Sequence, residues 1–252
     1  MKLLFHVSFL GTAYCGYQVQ PNGVTVQQKL NEATKSLFGY ECDIIGCSRT
    51  DSGVHANQFC ATVSKKGSST LETTIPTERI PQAISPYLPE DISVFRAEAV
   101  DEGFHPRYDV KYKEYIYQIW NRSERNPFLF DRSWHYPKAI SEDAVSKMNE
   151  AAAQFVGTHD FASYMASDSK IRDTVRTVYE AEVTRRGDML IFRVSADGFL
   201  YNMVRILTGT LIAVAEGKIG PEDIAAITAA KDRRLAGITV PAHGLFLNRV
   251  VY

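Results

Sequence analysis

The order of strand-like and helix-like segments most limits what this chain can fold into. Alternate residues are strongly apolar from 3 to 9, which is the two-residue period of a strand. From 26 to 37 the apolar residues recur at helical spacing, and Gly39 follows where a helix C-cap would stand. The segments predicted in the first half are strands 3–10, 43–47, 57–64 and 92–100 and helices 26–37 and 77–84.

The second half repeats this order without repeating the sequence. Ser141 is the predicted N-cap of its first helix and Gly157 the predicted stop, and a hairpin turns at residues 186–188. The other segments predicted there are strands 115–120 and 245–251 and helices 141–155, 199–216 and 221–230.

Each half therefore reads β-α-β-β-α-β, the ferredoxin-like order, in which two helices cover one face of an antiparallel sheet. We predict an α+β fold made of two ferredoxin-like (RRM-like) halves, 1–103 and 104–252. The halves would share an extended antiparallel sheet, with helices on one face and an active-site cleft on the other. Such an open face favours RNA by analogy, although a metabolic enzyme could have the same order.

Composition excludes several classes of protein. With 45% hydrophobic and 23% charged residues, the chain is neither disordered nor collagen-like. No apolar stretch approaches the roughly 18 residues of a membrane span, so no membrane partner is expected. The four cysteines have no C-x-x-C spacing, which favours reduced thiols in a cytosolic protein over a zinc site or disulfides.

The overall charge gives no sign of a polyanionic partner. The chain has 28 Lys plus Arg against 29 Asp plus Glu, a formal net charge of -1. A positive surface would have to be gathered by folding. The local basic residues that could form it are Arg107, Lys111, Lys113, Arg122, Arg125 and Arg132.

The most informative segment is a polar loop between two predicted strands. It brings a cation (Arg49), a carboxylate (Asp51) and an imidazole (His55) close together in sequence, and such loops often hold functional sites. Asp51 is followed by Ser-Gly, which is also a common turn composition. Without a family, the loop leaves both a simple turn and a catalytic site open.

Three further segments have two interpretations each. Arg205 is a single cation in an apolar helix. Either its guanidinium is paired with an anion, or it lies at the margin of the helix with the guanidinium in water. Tyr115 and Tyr117 share one side of a strand, as sheet packing or as a platform on which a base stacks. Leu245 lines a pocket or simply begins a strand.

Together these segments resemble the TruA family of tRNA pseudouridine synthases over nearly the whole chain. The family's hallmark, G-R-T-D-x-G-V-H-A, is matched here by Ser48-Arg49-Thr50-Asp51-Ser52-Gly53-Val54-His55-Ala56. Supporting matches, in order, are residues 14–20, 104–108, the Tyr115-x-Tyr117 pair, 199–209 and 229–233. Two residues depart from the family pattern: Ser48 stands where Gly is usual, and Tyr17 where Trp is usual.

The resemblance implies isomerisation of uridine to pseudouridine at positions 38, 39 and 40 of the tRNA anticodon arm, with no cofactor and no metal. Asp51 would be the nucleophile, at C1′ of the sugar or at C6 of the ring. Arg205 would keep its carboxylate ionised. Tyr115 would stack on the uracil and take the C5 proton, and Leu245 would form the opposite wall.

The resemblance and the local basic residues together predict how the tRNA is held. Because the uridine must leave its stack, Arg49 would fill the vacated space or hold a phosphate. Arg49, Arg107, Lys111 and Lys113 are the expected RNA contacts, and His55 is expected to help bind the substrate. A homodimer in the cytoplasm is also implied.

Two other functions stay open at the level of sequence. The first is a non-catalytic RNA-binding module, for which the aromatic residues matter and Asp51 does not. The second is a hydrolase that uses Asp51, which is weaker because no second carboxylate or set of metal ligands accompanies it.

Overall fold

The computed structural model describes residues 1–167 and 171–252 and has the predicted mixed α+β class. Its contacts divide it into two units. Unit 1 is Met1–Lys111 together with Leu247–Tyr252, and unit 2 is Tyr112–Phe246. The sequence predicts the division after residue 103. Within the described residues, no helix is long and apolar enough to span a membrane.

Unit 1 has the β-α-β-β-α-β order. Its elements are β1 (Lys2–Phe9), α1 (Val26–Phe38), β2 (Cys42–Gly46), β3 (His55–Lys65), α2 (Ile80–Ile84) and β4 (Ile92–Val100). The strands pair antiparallel in the order β4–β1–β3–β2. Short 3₁₀ turns at Thr77–Arg79 and Ser85–Tyr87 flank α2, because the prolines of this region limit the α-helix to five residues.

The register of β1 on β3 builds the core of unit 1. Phe5 lies opposite Ala61 and Val7 opposite Phe59, so the alternating apolar residues of both strands share one face. Helix α1 begins where the Thr25 side chain accepts the Gln28 N–H. It ends at Gly39, which has the left-handed φ of 77°. The predicted helix and its C-cap are confirmed.

The strands of unit 2 pair mostly antiparallel. Its elements are β5 (Tyr112–Trp120), β6 (Trp134–His135), α3 (Glu142–Ala153), β7 (Gly157–Asp160), β8 (Val175–Arg186), β9 (Met189–Ala196), α4 (Met203–Ala215) and α5 (Ile224–Ala230). The order is β5–β9–β8–β7, and the short β6 pairs parallel with β5. The predicted hairpin is confirmed, with Gly187-Asp188 between β8 and β9. The last strand, β10 (Leu245–Val251), begins in unit 2 and ends in unit 1.

Four predicted boundaries are wrong for local reasons. Helix α3 ends at Ala153, so Gly157 does not stop it. Gly157 is instead the first residue of β7, where it has a φ of 114°. Helix α4 begins at Met203 and not at residue 199, because Asn202 has a left-handed φ of 60° that an α-helix cannot contain. Pro221–Asp223 is a 3₁₀ turn before α5. Strand β3 already includes the last two residues of the predicted polar loop.

Candidate active site

The loop between β2 and β3 presents Asp51 in a half-buried position. The Val54 N–H donates to the Asp51 carbonyl at 3.2 Å, and Gly53 takes a φ of 78° that favours glycine. This tight turn places Asp51 at its first corner, while Arg49, two residues earlier, is exposed. The side chain that the sequence proposes as nucleophile therefore stands on a hydrogen-bonded turn, and Arg49 extends into solvent.

His55 is fully buried at the start of β3. Its Nδ1 accepts a hydrogen bond from the Gly11 N–H at 2.9 Å. An Nδ1 that accepts from a backbone N–H carries no proton, so the imidazole is neutral and bears its proton on Nε2. His55 thus fixes the backbone of Gly11, and its predicted contact with substrate stays a prediction.

Tyr17 packs beside the loop on the apolar face of unit 1. Its ring stacks on Phe59 at 4.1 Å between centroids, and a Cβ added at Gly46 would lie 2.5 Å from it. Tyr17 is 2% exposed, and this burial raises its pKa well above the usual value. Its hydroxyl has no hydrogen-bond partner among the residues that the structure describes.

Alternation along β5 puts two predicted site residues, Lys113 and Tyr115, on the same buried face as Tyr117. Lys113, Tyr115 and Tyr117 share that face, with Lys113 9% and Tyr115 6% exposed, whereas Lys111 is exposed. The Phe199 and Tyr115 rings meet edge to face, with their centroids 4.9 Å apart. The sequence grouped Phe199 with a helix, whereas the structure uses it to hold the Tyr115 ring.

Tyr117 has a different task from Tyr115. Its hydroxyl donates to the Pro241 carbonyl at 2.7 Å, and burial raises its pKa. A Cβ at Gly244 would approach the Tyr117 ring to 2.6 Å, so only glycine fits there. Tyr117 thereby fixes the segment that leads to Leu245, which is 6% exposed at the start of β10.

Arg205 lies in the first turn of α4 and is half-buried. Its Nε–H donates to the Val240 carbonyl at 2.8 Å, and its NH1 donates to the Asn202 Oδ1 at 2.6 Å. These two acceptors fix the plane of the guanidinium. The sequence analysis identified neither Asn202 nor Val240 as a partner of Arg205. The spacing of three residues between Asn202 and Arg205 could have indicated the first contact, because side chains at this spacing are neighbours on a helix.

His243 is a second residue that the sequence did not single out. Burial lowers its pKa, while the Asp131 carboxylate raises it and the Arg205 charge lowers it. It stands in the Pro241–Gly244 segment whose carbonyl Tyr117 binds. The His243 imidazole therefore lies within the electrostatic influence of Arg205 in unit 2, and its lowered pKa favours the neutral form.

Arg107 belongs to a turn in unit 1. Its N–H donates to the His105 Nδ1 at 3.2 Å, and the His105 N–H donates to the Asp109 carboxylate at 2.7 Å. These bonds fix the backbone of the turn and leave the half-buried Arg107 side chain for other contacts. Its predicted contact with RNA stays a prediction.

Burial disfavours the thiolate form at two of the four cysteines. Burial raises the pKa of the Cys60 thiol strongly and that of Cys42 to about 11, so both are protonated at neutral pH. Across residues 1–167 and 171–252, no group of three His, Cys, Asp or Glu side chains is arranged to hold a metal ion.

Comparison with known proteins decides the family. The profile of a family described as "tRNA pseudouridine synthase" matches residues 6–109 and 151–252. The chain belongs to the tRNA pseudouridine synthase family. It is therefore an enzyme, an isomerase, and the family resemblance seen in its motifs is confirmed.

Relatives named "tRNA pseudouridine synthase A" match over nearly their full length. The one from Thermoanaerobacter sp. (strain X514) is 42% identical over 253 residues, 100% of this chain and 99% of the relative. The one from Exiguobacterium sp. (strain ATCC BAA-1283 / AT1b) is 43% identical, over 98% of this chain and 96% of the relative. The one from Bacillus subtilis (strain 168) is 41% identical, over 100% of this chain and 99% of the relative.

Among solved structures, a chain from the "Crystal Structure of a Cbf5-Nop10-Gar1 Complex" aligns with a TM-score of 0.39 and 14% identity. The alignment covers 98% of this chain and 49% of the other, so this chain spans about half of that protein's length. No functional conclusion follows from a likeness of this size.

Proposed function

We propose that this enzyme isomerises uridine to pseudouridine at positions 38, 39 and 40 in the anticodon arm of tRNA, with Asp51 as nucleophile and without a cofactor. The observation that carries the proposal is the half-buried Asp51 on its hydrogen-bonded turn, inside the motif Ser48–Ala56 of a chain in this family. The relatives' names supply tRNA as the substrate class.

The reaction exchanges one bond for another within the nucleoside. The bond from C1′ to N1 breaks, the uracil turns, C1′ joins C5, the C5 proton leaves and N1 gains a proton. Asp51 attacks either C1′, to give a sugar ester, or C6 of the ring, and is released at the end. Both routes need an ionised carboxylate.

Arg205 is proposed to keep the Asp51 carboxylate ionised and aimed. Its guanidinium is planar and held by Asn202 and Val240, which leaves its remaining N–H groups in a fixed orientation. Lysine is a point charge on a flexible stem and cannot keep this geometry. Arg205→Lys should therefore lose most of the activity, and an Arg205→Met variant as active as the parent would contradict this role.

The tRNA contacts follow from the same proposal. Tyr115 stacks on the extruded uracil and takes the C5 proton, and Leu245 forms the opposite wall. Arg49, Arg107, Lys111 and Lys113 meet the RNA backbone, and His55 helps to bind the substrate. We also propose that the enzyme is a cytoplasmic homodimer, which sedimentation at micromolar concentration would test.

The deciding experiment measures release of tritium from tRNA labelled at uracil C5. The parent should release it, and Asp51→Asn and Asp51→Ala should release none while binding tRNA with nearly unchanged affinity. The matched control is Asp43→Asn, because Asp43 is an exposed carboxylate on β2 of the same unit. This variant should be fully active.

Two outcomes would overturn the proposal. Full turnover by Asp51→Asn would remove Asp51 from the mechanism. A parent protein that binds tRNA but never releases tritium would be an RNA-binding module. Transcripts with cytidine at 38, 39 and 40 test the site, because they should release no tritium.

A further inference from the structure

A short irregular segment of unit 1, residues 11–17, supports the loop that carries Asp51. The Tyr17 N–H donates to the Thr50 carbonyl at 3.3 Å. The Tyr14 carbonyl accepts from the Ser52 hydroxyl at 3.1 Å and from the Gly53 N–H at 3.4 Å. The residues on both sides of Asp51 are therefore bonded to this segment.

The segment and the loop also touch backbone to backbone. A Cβ added at Gly11 would lie 2.0 Å from the Val54 carbonyl oxygen, and one at Gly16 would lie 2.4 Å from that of Thr50. No flexible side chain separates the two stretches at these points. Because backbone atoms in contact cannot yield independently, a shift of the segment is transmitted to the loop.

Tyr14 anchors the segment to the rest of unit 1. It is 5% exposed, and its hydroxyl donates to the Asp91 Oδ1 at 2.5 Å. The Asp91 carbonyl accepts from the Leu10 N–H at 2.9 Å, which fixes Asp91 just before β4. Burial, and then the bond to Asp91, raises the pKa of Tyr14, so the phenol remains a neutral donor at physiological pH.

We propose that Tyr14 and Asp91 are positioning residues that hold the Asp51 loop in its reactive geometry. This inference rests on the proposed role of Asp51. The Tyr14 carbonyl holds one end of the turn and its hydroxyl is tied to Asp91, so the pair acts on the carboxylate through the loop. A nucleophile displaced by about 1 Å loses on the order of a hundredfold in rate, so a small relaxation of the loop is measurable.

Tyr14→Phe removes only the hydroxyl and keeps the ring. The rate of tritium release at saturating tRNA should fall about tenfold, while KM stays within about twofold of the parent. Tyr40→Phe is the matched control, because the Tyr40 hydroxyl donates to the Glu72 carbonyl elsewhere in unit 1. Its rate and KM should match those of the parent.

Substitutions of Asp91 test the pair from the other side. Asp91→Ala should lower the rate as much as Tyr14→Phe, and Asp91→Asn, which keeps an acceptor oxygen, should restore most of it. The Tyr14→Phe/Asp91→Ala double variant should be no slower than either single variant. If Tyr14→Phe does not fold, the comparison of the two Asp91 variants decides alone.

The positioning role is wrong if Tyr14→Phe keeps the parent rate, if it raises KM instead of lowering kcat, or if Asp91→Asn is as slow as Asp91→Ala. These failures differ from failure of the proposed function. An inactive Asp51→Asn beside a fully active Tyr14→Phe removes only the positioning pair, whereas an active Asp51→Asn removes the nucleophile itself.

Discussion

At the scale of single residues, the hydroxyls of three buried tyrosines have different partners. Tyr117 donates to a carbonyl of its own unit, Tyr14 to a carboxylate, and Tyr17 to nothing within the described residues. A buried hydroxyl without a partner costs about 1–3 kcal/mol, whereas a satisfied one contributes about 1 kcal/mol. The three phenols therefore differ in what they contribute to stability, although their rings are all buried.

Substituting phenylalanine for two of these tyrosines tests the difference. Tyr17→Phe should leave the free energy of unfolding unchanged or raise it by about 1 kcal/mol, because no hydrogen bond is lost. Tyr117→Phe should lower it by about 1–2 kcal/mol, because the Pro241 carbonyl loses its donor. Urea unfolding of both variants measures this. A Tyr17→Phe variant destabilised as much as Tyr117→Phe would show that the Tyr17 hydroxyl is bonded in solution.

At the scale of elements, α4 packs closer to its neighbouring segment than a side chain allows. A Cβ at Gly209 would lie 1.9 Å from the Ile238 carbonyl oxygen, and Gly237 stands equally close to the backbone of α4. The Gly237 N–H donates to the Thr210 hydroxyl at 2.9 Å. Glycine is otherwise unfavourable inside a helix, so this contact explains its presence in α4.

Gly209→Ala should therefore destabilise the protein despite alanine's better helix propensity. The gain in propensity is about 1 kcal/mol, while the overlap with backbone atoms costs more, so we expect a net loss of about 2 kcal/mol. Gly103→Ala is the control, because a Cβ there meets nothing within 4 Å. Thermal unfolding of the two variants gives the comparison, and equal midpoints would contradict the close packing.

The carboxyl end of α4 carries an acidic residue where the helix dipole disfavours one. Glu216 is held by the Lys218 ammonium at 2.6 Å and the Tyr136 hydroxyl at 2.7 Å. The Lys218 hydrogen bond first, and then that of Tyr136, lowers the pKa of Glu216 from 4.5 to about 2. These partners offset the unfavourable dipole.

This lowered pKa predicts how stability depends on pH. The folded state keeps Glu216 ionised at pH values at which the unfolded chain would protonate it. The ionised Glu216 therefore contributes fully to the free energy of unfolding above about pH 4.5, and this contribution is lost as the pH falls towards 2. Glu216→Gln should be less stable than the parent at pH 7 and approach it near pH 2. Urea unfolding across this range measures the convergence, with Glu222→Gln as an exposed control. A constant difference would contradict it.

At the scale of the whole molecule, attraction for tRNA cannot come from net charge. The formal net charge is -1, and several surface cations are already paired, such as Lys66 with Glu41 and Arg234 with Asp232. Affinity for a polyanion must then depend on a few cations placed where phosphates bind.

The salt dependence of tRNA binding tests which cations these are. Lys111→Gln should weaken binding and reduce the slope of log K against log salt by about one unit, since one phosphate contact is lost. Lys66→Gln is the control, because that exposed lysine is paired with Glu41 at 2.6 Å. Filter binding from about 50 to 200 mM salt measures both, and equal slopes would exclude Lys111 from the interface.

Sequence patterns were sufficient for what is local in this protein. Periodicity gave α1 with its Gly39 cap, strand β4 and the β8–β9 hairpin, because apolar spacing and turn chemistry act over a few residues. The motif at Ser48–Ala56 predicted the family, because seven of its eight specified positions match and such agreement rarely arises by chance.

Only the tertiary structure decided the side-chain hydrogen bonds that join residues distant in sequence. The neutral tautomer of His55 needs the Gly11 N–H, and the orientation of Arg205 needs the Val240 carbonyl. The anchor of Tyr14 on Asp91 joins residues 77 positions apart. Hydrogen bonds of this kind form only after the chain has closed, and neither residue type nor spacing encodes which carbonyl or carboxylate will stand opposite.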